Sequence, residues 1–554
     1  MSGDDTPSAE PHHWQHVHDR LAARPVEQLS PAQNDELAAA LFWLNEPRAT
    51  IEARHRAFQG WHREGQPEQA LRSAWYLFYE HWLVGEAVVA RGWFERSRRL
   101  VETGDVDPEG LAAGWLAIAE VDVAHADGHT EHACERAVWA RRIGERHGDR
   151  DLVAMALQAE GRMRIALGAS EAGLARLDDA MVSVIGNELD PLYTGWVYCN
   201  VIGTCHGVGD LRRANEWSAA AQRWCESIRD GLLYPGLCRV YRAELAQLRG
   251  DWPTAEAQAR QACEDLEAYD PRYAASAHYV VGELCRLQGR IDEADAAFAR
   301  ARELGHPTQP GHALLRAASG EPADALALLR TAANAVGPAT EAATVEALQL
   351  FTALIDVAEI LGDTATIIST ADEIARRVGA APSELASAFA ASAAGRAAGA
   401  RRDPRSAATD LGRAGELFSA LDMPFEAARQ RQLLAHLLQA HDDHAGARVH
   451  WAAAVTTFDR LGVPTGGGLD QAPTAGAPAH PGPAIAPLSD REREVLALVA
   501  GGLTNKAIAD ALHLSPHTVA RHIANILSKL GVSSRAAAAS IAVAAGLSPA
   551  DGQD

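Results

Sequence analysis

Lysine is almost absent from this sequence. The 554-residue chain contains two, Lys506 and Lys529, and neither follows a glycine. A P-loop needs a Gly-Lys pair before Ser or Thr, because the lysine reaches the nucleotide phosphates. A receiver domain of the response-regulator type also needs a lysine, and none precedes residue 506. We therefore expect neither a nucleotide-binding ATPase nor a receiver domain in this chain.

Cysteine pairs and long apolar runs are also missing. The seven cysteines are an odd number without a Cys-x-x-Cys pair, which argues against a disulfide framework or a zinc site and favours a reducing compartment. No stretch approaches the roughly 18 apolar residues of a membrane span, and the polar residues 1–15 do not form a signal peptide. The expected location is the cytoplasm, without a membrane partner.

Aromatic residues make up only 6% of the chain and β-branched runs are scarce. Much of the 47% hydrophobic content is alanine, the best helix former. This composition predicts an all-α protein. The sequence contains no Gly-x-Ser-x-Gly, His-Glu-x-x-His or dinucleotide-binding motif. We therefore expect no enzyme activity, no cofactor and no metal.

The net charge of −22 is unevenly distributed. Residues 488–554 contain six basic and six acidic side chains, so the whole negative excess lies upstream. An evenly spread negative charge would repel nucleic acid. Only the neutral C-terminal segment is therefore a candidate for DNA binding.

Residues 31–462 repeat one sequence pattern, which consists of an apolar helix, a Gly or Asp turn, and an alanine-rich helix. The turns are predicted at Gly85, Gly128, Gly168, Gly209, Gly250, Gly289, Gly320, Gly362, Asp403 and Asp443. A period near 40 residues indicates stacked helical hairpins, which must form a superhelix because no single hairpin buries its own apolar face. The repeats resemble tetratricopeptide repeats in their Gly-Asp turns and following alanines, although the standard repeat has about 34 residues.

Three other segments lack this pattern. Residues 1–30 are predicted to be a mobile N-terminal tail. This tail contains His12, His13, His16 and His18, and we interpret the cluster as solvated because no Cys or carboxylate stands at ligand spacing. Residues 463–487, rich in Gly, Pro and Ala, are predicted to be a linker, and 548–554 a C-terminal tail.

Thirteen tryptophans are present, twelve of them in the array and five between Trp43 and Trp93. These five could line a concave groove for a peptide or small ligand. Packing in the core is the favoured alternative for most of them.

Helical patterning resumes at residue 488. Ser489 and Glu492 form a capping-box pattern at the start of a helix that should run to about Ala500. Thr504 should cap a second helix that ends near Leu512. Ser515, followed by proline, predicts the start of a third helix that ends at Leu530. A fourth helix is predicted from Ser533 or Ser534 to Gly546.

The third helix has two distinct faces at about 100° per residue. Val519, Ile523, Ile526 and Leu530 form an apolar stripe, while Arg521 is central on the opposite face. A helix packed on one side, with Arg, His and Asn on the other, fits the major groove of DNA. We therefore predict base contacts from Arg521, Asn525 and His517.

The same segment resembles the LuxR-type helix-turn-helix domain. The resemblance rests on residues 488–496 (LSDREREVL), 502–509 (GLTNKAIA), 515–519 (SPHTV), His522 and 525–532 (NILSKLGV). It implies a four-helix domain at 488–547, with major-groove binding by the third helix and dimerisation that often uses the fourth.

Many members of this family carry lysines where this chain has Ala520 and Ala524. That departure leaves Arg521 as the main candidate for base recognition. Contacts to the DNA backbone are assigned to six other side chains. These are Thr504, Asn505, Lys506, Thr518, His522 and Lys529.

The sequence thus predicts a sequence-specific transcriptional regulator, cytoplasmic and nucleoid-associated when bound to double-stranded DNA. The array would bind a peptide, protein or small-molecule signal, and the chain would form a homodimer through its C-terminal helix. The alternative is an interaction scaffold whose helix-turn-helix is non-specific or vestigial, which Ala520 and Ala524 keep open.

Overall fold

The computed structural model describes residues 13–227, 233–267, 270–336, 344–380, 383–464 and 488–530, with Arg535, Ala538, Ala539 and Ala542. Every regular element within these residues is a helix. The all-α fold, with a helical repeat array followed by a helix-turn-helix segment, is therefore confirmed.

Across the described part of residues 31–461, helices α2 to α23 form eleven consecutive hairpins. They are α2/α3 (Pro31–Trp43, Pro47–Arg63), α4/α5 (Pro67–Leu83, Ala87–Glu102), α6/α7 (Leu111–Ala126, Thr130–His147), α8/α9 (Arg150–Ala166, Ser170–Ile185), α10/α11 (Pro191–Gly207, Leu211–Ser227), α12/α13 (Leu233–Leu248, Trp252–Leu266), α14/α15 (Pro271–Leu287, Ile291–Glu303), α16/α17 (Gly311–Ala318, Pro322–Ala335), α18/α19 (Val345–Leu361, Thr364–Ala380), α20/α21 (Glu384–Ala400, Pro404–Ala420) and α22/α23 (Pro424–Ala440, His444–Leu461).

The turns inside the hairpins use left-handed backbone. All eight predicted glycines, from Gly85 to Gly362, have φ between 68° and 92°, a conformation that glycine adopts without steric cost. The prediction was wrong at the last two turns, where Arg402 (φ 59°) and Asp442 (φ 65°) hold that conformation. Asp403 and Asp443 instead cap the following helices, since their carboxylates accept backbone N–H groups.

Small residues bring paired helices together. Ala255, Ala259 and Ala262 on α13 are fully buried, so this small-residue face of α13 packs against neighbouring helices. At the α8/α9 crossing, a Cβ added at Gly161 would lie 2.9 Å from the carbonyl oxygen of Gly173. Any larger side chain at that crossing would push the two helices apart.

The predicted mobile tail is wrong for its second half. Residues His13–Ala22 form helix α1, and a short 3-10 helix follows at Val26–Gln28. Val17 and Leu21 are buried, and the Trp14 ring stacks on Trp43 with centroids 6.1 Å apart. The spacing of these three side chains makes an apolar stripe, so α1 covers the exposed end of the first hairpin. Residues 1–12, including His12, lie outside the described part.

Hairpins five places apart approach one another. A Cβ built at Gly209, in the fifth hairpin, would lie 3.0 Å from Cβ of Leu385 in the tenth. A Cβ at Gly250, in the sixth, would lie 2.8 Å from Pro424 in the eleventh. The array is therefore a superhelix whose successive turns touch.

The last array helix ends at Leu461, and Gly462 caps it in the left-handed conformation. Residues 465–487, most of the predicted linker, and the predicted C-terminal tail 548–554 lie outside the described residues. Among the helices described, none has the length and apolar character needed to cross a membrane.

Candidate nucleic-acid interface

The C-terminal segment begins with helix α24, Asp490–Ala500. The hydroxyl of Ser489 accepts the backbone N–H of Glu492 at 3.3 Å, and the Glu492 carboxylate accepts the N–H of Ser489 at 2.8 Å. This arrangement confirms the predicted capping box. It satisfies two helix N–H groups that would otherwise lack partners.

Two further helices follow. Helix α25, Asn505–Ala511, is capped by the Thr504 hydroxyl, which accepts the N–H of Ala507 at 3.2 Å. The connecting turn places His513 in the left-handed region, with φ 53°. Helix α26, Pro516–Leu530, starts where the Ser515 hydroxyl accepts the N–H of Thr518 at 3.1 Å. The predicted starts and ends of these helices agree with the structure to within one residue.

The apolar stripe of α26 packs on α24 and α25. Val519 and Ile526 are almost fully buried, and Ile523 and Leu530 pack at the edge of the same cluster. That cluster contains Val495, Leu496, Val499 and Ile508. One side of α26 is thus held by the domain core, and its orientation is fixed.

The opposite side of α26 is exposed. Arg521, Asn525 and His517 are all exposed to solvent. Their four-residue spacing places them along about 12 Å of one helix face. Within the described residues, none of the three has a hydrogen bond or ion pair to another side chain. The structure therefore leaves the predicted base-reading groups available for a ligand.

The predicted backbone contacts have different surroundings. Thr504 and Lys506 are exposed at the N-terminal end of α25, where the helix dipole adds positive potential. Thr518 is half-buried, with its hydroxyl 2.8 Å from that of Ser515, and His522 is half-buried on the flank of α26. Asn505 is less free, because its side-chain oxygen accepts the Arg535 guanidinium at 2.8 Å.

Lys529 is held by a carboxylate. Its ammonium donates to both carboxylate oxygens of Glu492 at 2.6 and 2.8 Å. The hydrogen bond from Lys529, with those from Ser489, lowers the pKa of Glu492 to about 2. This pair joins the end of α26 to the start of α24, so Lys529 has a structural role that sequence reasoning missed.

The predicted fourth helix is described only in part. Arg535, Ala538, Ala539 and Ala542 are helical, and the three alanines are buried in the core of the domain. Arg535 also donates to the carbonyl oxygen of Leu503. The remaining residues of this predicted helix lie outside the described part of the chain.

The helix-turn-helix contacts the last hairpin of the array. Arg431 on α22 donates to the carbonyl oxygen of Gly502 at 3.4 Å, and Val449 on α23 joins the apolar cluster of the C-terminal domain. Burial lowers the pKa of His450 to about 4, and the positive charge of Arg431 adds to this shift. The same two causes lower the pKa of Arg535 to about 10. A surface contact between array and domain was not predicted, since no sequence pattern reports which distant helices meet.

Three helices pack around one apolar cluster, and the third helix exposes Arg, Asn and His on its outer side. This arrangement defines a helix-turn-helix DNA-binding domain. Residues 486–542 match the family described as "Bacterial regulatory proteins, luxR family". The chain therefore carries a LuxR-family DNA-binding domain at its C-terminal end.

Curated relatives match over the same segment. The transcriptional regulatory protein FixJ of Azorhizobium caulinodans is 44% identical over 70 residues, or 13% of this chain and 33% of FixJ. The transcriptional regulatory protein LiaR of Bacillus subtilis is 54% identical over 52 residues, covering 9% of this chain and 25% of LiaR. The chain thus spans a third or less of the length of these relatives.

Two solved structures resemble the chain more broadly. A human IFIT1 dimer with PPP-AAAA is 12% identical, with a TM-score of 0.33, and the match covers 74% of this chain and 96% of that one. The Cut9 and Hcn1 hetero-tetramer of the APC/C is 12% identical, with a TM-score of 0.34, covering 81% and 91%. Because both TM-scores lie below 0.5, neither structure bears on what the array binds.

Proposed function

We propose that this protein is a sequence-specific transcriptional regulator whose repeat array receives a signal. The observation that carries the proposal is the exposed face of α26, which presents Arg521, Asn525 and His517. The opposite face of the helix is packed in the apolar core of the domain. An arginine can pair bidentately with guanine in the major groove, and asparagine with adenine. Within the described part of the array, we interpret no feature as catalytic.

Backbone contacts would position the domain on the duplex. Lys506 and Thr504, both exposed at the start of α25, are suited to phosphate oxygens. Thr518 and His522 would contact the same backbone from α26. For Lys529 a phosphate contact would have to compete with Glu492, so we assign it the weakest contribution of the six.

A homodimer that reads two half-sites is part of the proposal. Two-fold symmetry would match an inverted repeat in the operator. The alanine face of Ala538, Ala539 and Ala542 packs within the domain and is not available to a second chain. A dimer through the fourth helix would therefore use another face of that helix.

The competing function is a scaffold with non-specific DNA binding. The observation that favours it is the exposure of Ala520 and Ala524, which add no polar contact to the DNA-facing side of α26. A scaffold of this kind would act in the cytoplasm through proteins that bind the array. A transcriptional regulator would instead be associated with the nucleoid when it is bound to DNA.

Genome-wide binding of the tagged full-length protein separates the two. Sharp peaks that share one sequence motif support the regulator. Diffuse occupancy that follows DNA accessibility would contradict it and favour the scaffold. An Arg521→Ala variant, profiled in parallel, should lose the sharp peaks while keeping the diffuse background.

A further inference from the structure

We propose that Cys225 and Cys238 form a reversible disulfide bond within the array when low-molecular-weight disulfides accumulate around the protein. Cys225 lies near the end of α11, and Cys238 lies in the second turn of α12. Their Sγ atoms are 3.4 Å apart and are joined by a hydrogen bond. The two thiols therefore meet where the fifth hairpin joins the sixth. The inference concerns the array alone and does not depend on DNA binding.

The two sulfur atoms are already close to bonding distance. A disulfide bond is about 2.05 Å long, so each Sγ atom has to move by roughly 0.7 Å. Cys238 is 3% exposed, and the half-buried Cys225 packs against the same apolar cluster. Packing of the folded array thus keeps the two thiols together, and the motion that the bond requires is small.

Cys225 is the thiol at which the reaction begins, because it is the more exposed of the pair. Cys199 on α10 also interacts with Cys238, but it is buried. Cys134 is the other half-buried cysteine of the chain. Among the described residues, no second thiol lies at hydrogen-bond distance from Cys134, so it is a natural reference for a cysteine without a partner.

The bond forms by two exchange steps with a low-molecular-weight disulfide as the oxidant. The Cys225 thiolate attacks one sulfur of that disulfide, which breaks its S–S bond and releases one small thiol. The Cys238 thiolate then attacks the Cys225 sulfur and releases the second. The protein loses two electrons and two protons, and the oxidant gains them as two thiols. At 3.4 Å, the second step is intramolecular and precedes attack by another small thiol.

The surroundings of the pair make this exchange slow at neutral pH. The hydrogen bond to Cys238 and burial raise the pKa of the Cys225 thiol. Interaction with Cys199 and burial raise the pKa of Cys238, whereas the nearby Arg242 guanidinium acts in the opposite direction on both thiols. Because the thiolate is the attacking form, the pair responds to a sustained change in thiol–disulfide balance and stays reduced in a reducing compartment.

The bond would join two hairpins that contact distant parts of the array. The turn of the fifth hairpin, at Gly209, lies against Leu385 in the tenth. The turn of the sixth, at Gly250, lies against Pro424 in the eleventh. A covalent link between α11 and α12 therefore restrains the region where successive turns of the superhelix touch.

Peptide mapping by mass spectrometry tests the proposal on the full-length protein without DNA. The protein is brought to equilibrium with mixtures of oxidised and reduced glutathione at about pH 8, where exchange is faster, and free thiols are then blocked. We expect a peptide that links Cys225 to Cys238 and that dithiothreitol releases. At a fixed glutathione ratio, about tenfold dilution of both forms should raise the ratio of bridged to reduced protein about tenfold, since two small thiols are released per bridge.

Variants and one internal reference assign the bond. Cys225→Ser and Cys238→Ala should each abolish the bridge, and Cys225 in the second variant should carry glutathione instead. Cys199→Ser and Cys134→Ser are the controls and should leave the bridge unchanged. In the wild-type protein, Cys134 should form only a mixed disulfide with glutathione, and its extent should not change on dilution at a fixed ratio. Circular dichroism should first show that each variant is folded.

The proposal is overturned if Cys225 stays reduced, or carries only glutathione, under conditions that modify Cys134. A bridge between Cys199 and Cys238, or a bridge that persists in Cys225→Ser, would also overturn it. The first result is read from the wild-type protein, so a variant that fails to fold does not affect it. Since no DNA is present, the outcome is independent of whether α26 reads a sequence.

Discussion

Replacing Arg521 with alanine should separate recognition of a sequence from attachment to DNA. Arg521 is exposed at the centre of the outer face of α26 and has no intramolecular partner among the described residues. Its loss should therefore change folding stability by no more than about 0.5 kcal/mol. If it pairs with a guanine, its loss should cost about 1–3 kcal/mol, or roughly 5- to 150-fold in affinity, for the cognate site only.

Lys506→Ala should have the opposite effect. Lys506 is exposed in the first turn of α25, where a phosphate contact is sequence-independent. Its loss should weaken binding to cognate and scrambled DNA alike and reduce the slope of log affinity against log salt by about one. Arg493→Ala is the control for loss of a cation, because Arg493 is exposed on α24 and paired with Asp490 at 3.1 Å.

Fluorescence anisotropy against cognate and scrambled duplexes over a salt series measures all three variants. The expected pattern is loss of discrimination for Arg521→Ala, uniform weakening for Lys506→Ala and little change for Arg493→Ala. An Arg521→Ala variant that loses equal affinity for both duplexes would show that Arg521 is a phosphate clamp. The assignment of α26 as the reading helix would then fail.

Three further predictions follow from the C-terminal part of the chain. Glu492→Gln should destabilise the domain by about 1–2 kcal/mol at pH 7. Because the pKa of Glu492 is lowered on folding, this difference in thermal unfolding should vanish as pH falls from about 4.5 to about 2. Lys529→Met should reproduce the destabilisation and change the salt slope of DNA binding less than Lys506→Ala does. Limited proteolysis should cut first within residues 463–487 and release a small C-terminal fragment; first cuts inside the array would refute that domain boundary. Footprinting should show protection of both halves of an inverted repeat, and protection of a single half-site that is indifferent to the second would contradict dimeric binding.

Local patterns predicted the helices and caps of the DNA-binding segment because those features depend on neighbours in sequence. Ser489 with Glu492, and Ser515 before proline, act over three or four residues. The pairing of Lys529 with Glu492 spans 37 residues, and nothing in either local pattern selects one lysine over another for this contact. The same limit applies to Arg431 and Gly502, which meet only because the array brings them together.

In the array, the repeat period predicted the hairpins, but not every turn residue. Arg402 and Asp442 adopt the left-handed conformation that glycine holds in the other predicted turns, and the aspartate that follows each of them caps the next helix. The first hairpin turns at Asn45 (φ 60°), outside the Gly and Asp pattern. Trp14, Val17 and Leu21 form the apolar stripe of helix α1, but the histidines among them favour the interpretation of a solvated tail.

The contacts between hairpins five places apart change how the array should respond to stress. A solenoid whose repeats touch only their neighbours can fray from an end, one repeat at a time. Here Gly209 lies against Leu385 and Gly250 against Pro424, so removal of one turn exposes the surface of the next. A displacement in the sixth hairpin therefore reaches the eleventh hairpin, which contacts the DNA-binding domain through Arg431 and Val449, without crossing every repeat between them.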